Sequence, residues 1–194
     1  MIALDEEEGE LHGSIVRTLE SVLAGAVLID LVLHERIKLL DDRVIVTDQS
    51  PIEDDILDKT LFAILDTGRP RKLKYWINTI IYEKVTNEVT HYLVKKEVLI
   101  RKKKRLRLAI LEGNGSIKSK LENRLRGVVL GDQEPELREK VLLAFLYYTD
   151  LLKLVFPHKE RKIVRKRVKK WIGDGKEGNN LGTPLDEIVA AASK

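Results

Sequence analysis

The chain has no cysteine among its 194 residues and only one methionine. Without thiols, disulfides and thiolate metal sites are excluded, and a reducing compartment is the natural setting. Histidine is scarce as well: the four at 12, 34, 91 and 158 show none of the ligand spacing that zinc requires. No metal or other cofactor is expected. Long hydrophobic runs are missing too. The most apolar stretch, Val22 to Leu33, is interrupted by Asp30 and is too short to cross a bilayer. Met1 leads directly into the acidic run Asp5-Glu6-Glu7-Glu8, so no secretory leader is expected.

Catalytic patterns are equally absent. No serine or threonine is paired with a histidine in a nucleophile-and-base spacing. Gly173-Asp174-Gly175-Lys176 lacks the phosphate-loop spacing and follows no strand. The acidic cluster Asp41, Asp42, Asp48, Glu53, Asp54, Asp55 and Asp58 has neither calcium-loop spacing nor a glycine pivot. Its members stand where turns and helix starts favour carboxylates. Nothing here argues for an enzyme.

What the chain does have is charge, unevenly spread. Charged residues make up 34% and apolar ones 43%, as in a soluble domain with a heavily charged surface. Residues 1–58 carry 15 acids against 4 bases, whereas residues 59–194 carry 16 acids against 31 bases. That asymmetry points to a basic face able to meet phosphate-rich surfaces. The densest part is Tyr92 to Leu111, YLVKKEVLIRKKKRLRLAIL. Lys95, Lys96, Arg101, Lys102, Lys103, Lys104, Arg105 and Arg107 stand there against a single acid, Glu97. Val98 and Ile100 before the cluster, and Leu106, Leu108 and Ile110 after it, alternate with period two. A β-hairpin over about 98–111 with a basic tip is expected.

Three uses of such a hairpin compete, beside the plain one of edge lysines that keep an exposed strand soluble. It could lie on anionic membrane lipid, where each Lys or Arg contributes about 1 kcal/mol. It could be the wing of a winged-helix nucleic-acid binder. The face ahead of it carries Glu83, Lys84, Asn87, Glu88, His91, Lys95 and Lys96, with two acids and no cluster set to read bases, so nucleic acid is the weaker reading. Or it could pair with another chain, a second copy included, as an interaction scaffold.

The remaining elements follow from periodicity and punctuation. Ile2 to Leu4 suggests a short strand, and Ser14 to Leu33 a central buried helix in which Asp30 needs a partner. Arg43 to Thr47 reads as a strand. Ser50-Pro51-Ile52-Glu53 has the form of a capping box opening a helix to about Leu65, closed by Thr67-Gly68 and Pro70. Leu73, Trp76, Ile77, Ile80 and Ile81, extended by Val85, Val89 and Leu93, predict a long amphipathic helix with a break near Tyr82 to Val85. After a loop at Glu112 to Ser116 come helices over Ile117 to Leu130, Leu137 to Val155 and Lys159 to Trp171, with a linker at Gly131 to Pro135. A loop spans Gly173 to Gly182, and Thr183-Pro184 opens a last helix packing through Leu185, Ile188, Val189 and Ala192. The expected fold is mainly α, a single domain over 1–194 with one or two small β-hairpins.

The order of these segments resembles one family. LAGAVLIDLVLHERIKL (Leu23 to Leu39), VIVTDQSPIEDDILDKTL (Val44 to Leu61), RPRKLKYWI (Arg69 to Ile77), LVKKEVL (Leu93 to Leu99), LLAFLYYTDLLKLVFP (Leu142 to Pro157) and the terminal DEIVAAASK are similar to the Golgi phosphoprotein 3 family. The chain looks like a minimal, prokaryotic-type member without the long N-terminal extension of eukaryotic ones. The resemblance implies a compact multi-helix domain around a buried hydrophobic helix pair, with a hairpin protruding at Leu99 to Leu108. It implies a non-enzymatic peripheral membrane protein on the cytoplasmic face. In eukaryotic members it further implies binding of phosphatidylinositol 4-phosphate and of cytosolic tails of Golgi membrane enzymes, and a hairpin that self-associates and inserts at the membrane. The headgroup positions do not carry over. Where those members have a Trp and an Arg in the first long helix, this chain aligns Ile15 and Ala24; where they have two basic residues, it aligns Glu83 and Thr86. None supplies a cation, so lipid contact is expected to fall to Lys95, Lys96 and the hairpin by general charge attraction.

Overall fold

In the computed structural model, residues 13–104, 107–113, 115–131, 133–172 and 183–193 are described. The expected strand at Ile2 to Leu4 and the loop at Gly173 to Gly182 lie outside them. Cα proximity divides the chain into two compact units, one of Arg17–Val89 with Gly182–Lys194, the other of Met1–Val16 with Thr90–Leu181.

Helix α1, Gly13–Leu33, buries Ala24, Leu28 and Leu31 completely. Asp30 is half-buried rather than in the core, and it has an interaction partner. Its carbonyl accepts a hydrogen bond from His34 Nδ1 at 2.8 Å, which places the ring proton on that nitrogen. The helix stops by turning left-handed at Glu35 (φ 59°), whose N–H bonds Val32 O while Arg36 N–H bonds Leu31 O, both at 2.9 Å. These two bonds satisfy carbonyls the last turn would otherwise leave open.

Next come β1, Ile37–Leu40, and β2, Arg43–Val46, antiparallel with Ile37 opposite Val46 and Leu40 opposite Arg43. The two-residue turn between them has Asp41 and Asp42 both at positive φ (50° and 60°), matching the twist of a tight hairpin. A two-residue strand β3, Arg71–Lys72, adds to β2, giving the sheet order β1-β2-β3. The expected strand at 43–47 is present; its partner β1 carries no clear alternation and was not legible.

Helix α2, Asp55–Asp66, begins later than the capping-box pattern predicts. Asp54 is the N-cap, accepting from Ile56 N at 3.0 Å and Leu57 N at 3.1 Å. Glu53 sits at φ 65°, which no helical residue adopts. Ser50, the expected cap, turns back to Asp48 at 2.8 Å, and Asp58 takes the N–H groups of Ile52 and Glu53. Charged carboxylates displaced a hydroxyl as acceptors for these amides.

Helices α3, Leu73–Tyr82, and α4, Val85–Lys95, are separate, and the break falls where expected, at Lys84 (φ 61°). Leu73, Trp76, Ile77 and Ile80 are buried. The last helix, α8, Thr183–Ala192, packs on α3 and buries Leu185, Ile188, Val189 and Ala192.

The other unit contains a two-stranded ribbon and helices α5, Gly115–Leu130, α6, Leu137–Tyr148, and α7, Arg161–Ile172. Both α5 and α6 pack on α7. The single helix expected over Leu137 to Val155 is interrupted. It ends at Tyr148, Asp150 adopts φ 59°, and Leu151–Leu154 continues as one 3-10 turn. Thr149 Oγ1 donates to Phe145 O at 2.5 Å, and Asp150 pairs with Lys153 and Arg165. Polar side chains engaged at the turn fix the break, although the apolar spacing runs through it. The fold is mainly α, with eight α-helices, a three-stranded antiparallel sheet and a two-stranded ribbon among the described residues.

Candidate anionic-surface site

The ribbon grows out of the end of α4. Glu97 turns left-handed (φ 57°), its N–H bonding Val94 O at 3.0 Å while Val98 N–H bonds Leu93 O at 2.9 Å. This is the same left-handed helix stop as at Glu35, and it aims the chain straight into β4. Strands β4, Leu99–Lys104, and β5, Arg107–Gly113, are antiparallel, with Leu99 opposite Gly113, Arg101 opposite Leu111 and Lys104 opposite Arg107. The register is irregular between Lys102 and Lys104. Among the described residues each strand pairs only with the other, which leaves the ribbon two open edges.

The hairpin is therefore present, but its charge is distributed differently from the expectation. Arg101, Lys102, Lys103 and Lys104 are strand residues, not a tip, and Arg107 opens the returning strand. Arg105 lies outside the described residues. Glu112 and Gly113, expected in a loop, also belong to β5. Backbone pairing of this length carries the strand through a basic run whose side chains give no β signal of their own. At the base, Leu99 is buried while Ile100 is 49% exposed. Lys95 and Lys96 are exposed on the last turn of α4 and just beyond it, and Lys96 Nζ stands 5.6 Å from the centroid of the Tyr92 ring. A cation there also complements the helix C-terminus.

The family's headgroup positions are placed as follows. Ile15 lies in the first turn of α1. Ala24 is fully buried in the same helix. Glu83 is exposed and forms an ion pair with Lys59 at 3.3 Å, and Lys59 also meets Glu88 at 2.6 Å. Thr86 is half-buried, with an Oγ1 that has no hydrogen-bond partner among the described residues. The carboxylates of Glu88 and then Glu83 raise the Lys59 ammonium above its ordinary range, keeping it charged. No local pattern marks Lys59 for this role, because it comes from a segment well before the two acids. Glu83 and Glu88 share this one ammonium, so the three groups keep a net negative charge, and the case against base reading rests on these acids as well as on the missing Arg/Asn/Gln cluster.

A cleft of about 500 Å³ is lined by Val32, Glu35, Arg36, Ile37, Lys38, Thr47 and Asp48. Its guanidinium, Arg36, is occupied by Ser50 O at 2.7 Å, His34 O at 2.8 Å and Asp48 at 3.0 Å. Among the described residues no group of three His, Asp or Glu could hold a metal ion.

Helix α7 shows how differently two kinds of cation are used. Arg167 Nη1 donates to Val129 O at 2.7 Å and Gly131 O at 2.9 Å, closing the C-terminal end of α5. Charge-assisted bonds of this kind are worth about 1.5–3 kcal/mol. Arg167→Met is accordingly expected to destabilise the protein by about 2–3 kcal/mol, with Arg167→Lys recovering only part because its stem is one atom shorter and its donors are not held in a plane toward both carbonyls. Urea unfolding of the two variants measures this.

The described residues define a helical protein that carries a basic two-stranded ribbon, and no described helix is long and apolar enough to cross a membrane. The profile of the Golgi phosphoprotein 3 (GPP34) family matches residues 1–192, and the chain belongs to that family. No curated protein shows significant similarity to it.

Proposed function

We propose that this chain is a non-enzymatic peripheral membrane protein that binds anionic phospholipid through the basic ribbon and the adjoining Lys95 and Lys96. The observation that carries the reading is the ribbon itself: five of its described positions, Arg101 to Lys104 and Arg107, are basic, and two exposed lysines stand just ahead of it at the end of α4. Family membership over residues 1–192 supports it. The membrane face is the cytoplasmic one, in keeping with the chain's lack of cysteine. Cytosolic tails of membrane proteins, and a second copy meeting the open ribbon edges, are the protein partners of this reading.

The attraction is one of general charge. A phosphatidylinositol 4-phosphate clamp has no support at Ala24, which is buried, or at Glu83, which is anionic and paired. Co-sedimentation with phosphatidylcholine vesicles, with and without phosphatidylserine, tests the reading. The protein is expected to pellet with the anionic vesicles at low salt, to be released at high salt, and to ignore the neutral ones. Absence from the anionic pellet at low salt, with a salt-sensitive gel shift on duplex DNA in its place, would move the site to nucleic acid.

A further inference from the structure

Between 159 and 170 the chain carries eight basic residues, three arginines and five lysines. The fold uses all three arginines. Arg161 Nε donates to Phe156 O at 3.0 Å, Arg165 pairs with Asp150, and Arg167 forks between Val129 O and Gly131 O. Lys159, Lys162 and Lys166 are exposed and have no hydrogen-bond or ion-pair partner among the described residues. Lys162, Lys166 and Lys170 recur at i, i+4 and i+8 and so share one face of α7, opposite the buried Val164 and Val168. Beside Lys162 and Lys166 stands Ile163, 56% exposed. α7 itself contains no acid, and the nearest one before it, Glu160, is held by Arg126 at 2.7 Å.

We propose that this outward face of α7 is a second contact with the anionic membrane, separate from the ribbon. The helix would lie along the bilayer, with the lysine ammoniums among lipid phosphates and Ile163 at the boundary between headgroups and acyl chains. The chemistry of the free groups selects this partner. Lysines are point charges suited to a diffuse anionic surface, whereas base edges are read bidentately by the guanidinium fork, and the three arginines here are engaged within the fold. An exposed isoleucine amid lysines gains from a lipid interface and would gain nothing against a phosphate backbone. The inference rests on the membrane-surface reading above but not on the ribbon.

The test compares the full chain with a triple variant, Lys159→Gln, Lys162→Gln and Lys166→Gln, on phosphatidylserine-containing vesicles at low salt. Each lysine is worth about fivefold, so affinity is expected to drop on the order of 100-fold. Unchanged thermal melting would show that the fold, held by the arginines, is intact. Ile163→Ala is expected to weaken binding a few-fold without altering its salt dependence, since it removes apolar contact and no charge. A ribbon variant with serine at 101 to 104 runs beside them. Wild-type affinity in the triple variant with loss in the ribbon variant overturns this inference and leaves the ribbon standing. Loss in the triple variant with wild-type affinity in the ribbon variant does the reverse. No vesicle binding by the unaltered protein overturns both, and loss of duplex DNA binding instead of vesicle binding assigns the α7 face to nucleic acid.

Discussion

Vesicle affinity is expected to fall on the order of 10³-fold when Arg101, Lys102, Lys103 and Lys104 are all replaced by serine. Each cation near an anionic leaflet contributes about 1 kcal/mol, so four together account for about 4 kcal/mol. Consecutive strand positions alternate between the ribbon's two faces, but a two-stranded ribbon is thin, so when it lies on a membrane all four stay within a Debye length of about 10 Å at moderate salt. Pairing of β4 with β5 runs through backbone groups, so serine leaves the ladder able to form. The variant should therefore melt like the parent while losing the vesicles. Its residual binding should also respond less steeply to salt. Retained affinity would mean that the ribbon's charge serves only to keep two open strand edges from pairing indiscriminately.

Truncating Trp76 to alanine is expected to cost about 3–5 kcal/mol of folding stability, the range for emptying an aromatic site in a packed core. The side chain is 2% exposed, sits in α3 and meets the Tyr75 ring edge-on at 5.1 Å. Its indole N–H has no acceptor among the described residues. That last fact separates two variants. Trp76→Phe removes volume but breaks no hydrogen bond, and is expected to cost only about 1–2 kcal/mol. Denaturant unfolding of both measures the difference. A phenylalanine variant as damaged as the alanine one would show that the indole nitrogen is bonded after all.

Apolar periodicity made most of the helices legible. The stripe Leu73, Trp76, Ile77 and Ile80 is buried as its spacing requires, and the break after Tyr82 falls at Lys84. Likewise, Leu185, Ile188, Val189 and Ala192 form the buried face of α8. What the pattern could not show were contests between polar groups for the same amides. The start of α2 moved because Asp54 and Asp58 took N–H groups that a Ser50 cap would have claimed. The end of α6 moved because Asp150, a left-handed residue tied to Arg165, interrupts a run whose hydrophobic spacing continues.

The site was legible as composition and less so as geometry. Eight basic residues near a hairpin could be read directly, but not that most of them are strand residues. Nor could the sequence distinguish the cations of α7 that hold the fold from those left outside. Arg167 is satisfied by carbonyls 36 and 38 residues away, and no local signal marks it apart from Lys166. The same distance hid Lys59, which joins Glu83 and Glu88 from α2.

The division of the chain also sets an order of events during synthesis. The unit containing α3 takes residues from both sides of the other, Arg17–Val89 and then Gly182–Lys194. At a ribosomal rate of roughly 5–20 residues per second, the 92 residues between those segments take about 5–20 s to make. Until α8 emerges, the surface of α3 that it covers stays open on the nascent chain. The later-encoded middle can thus reach its folded form first, while the earlier-encoded part waits for α8. A chain stalled before residue 183 would display that apolar surface to chaperones and proteases, so α3 stays open to quality control until α8 has been made.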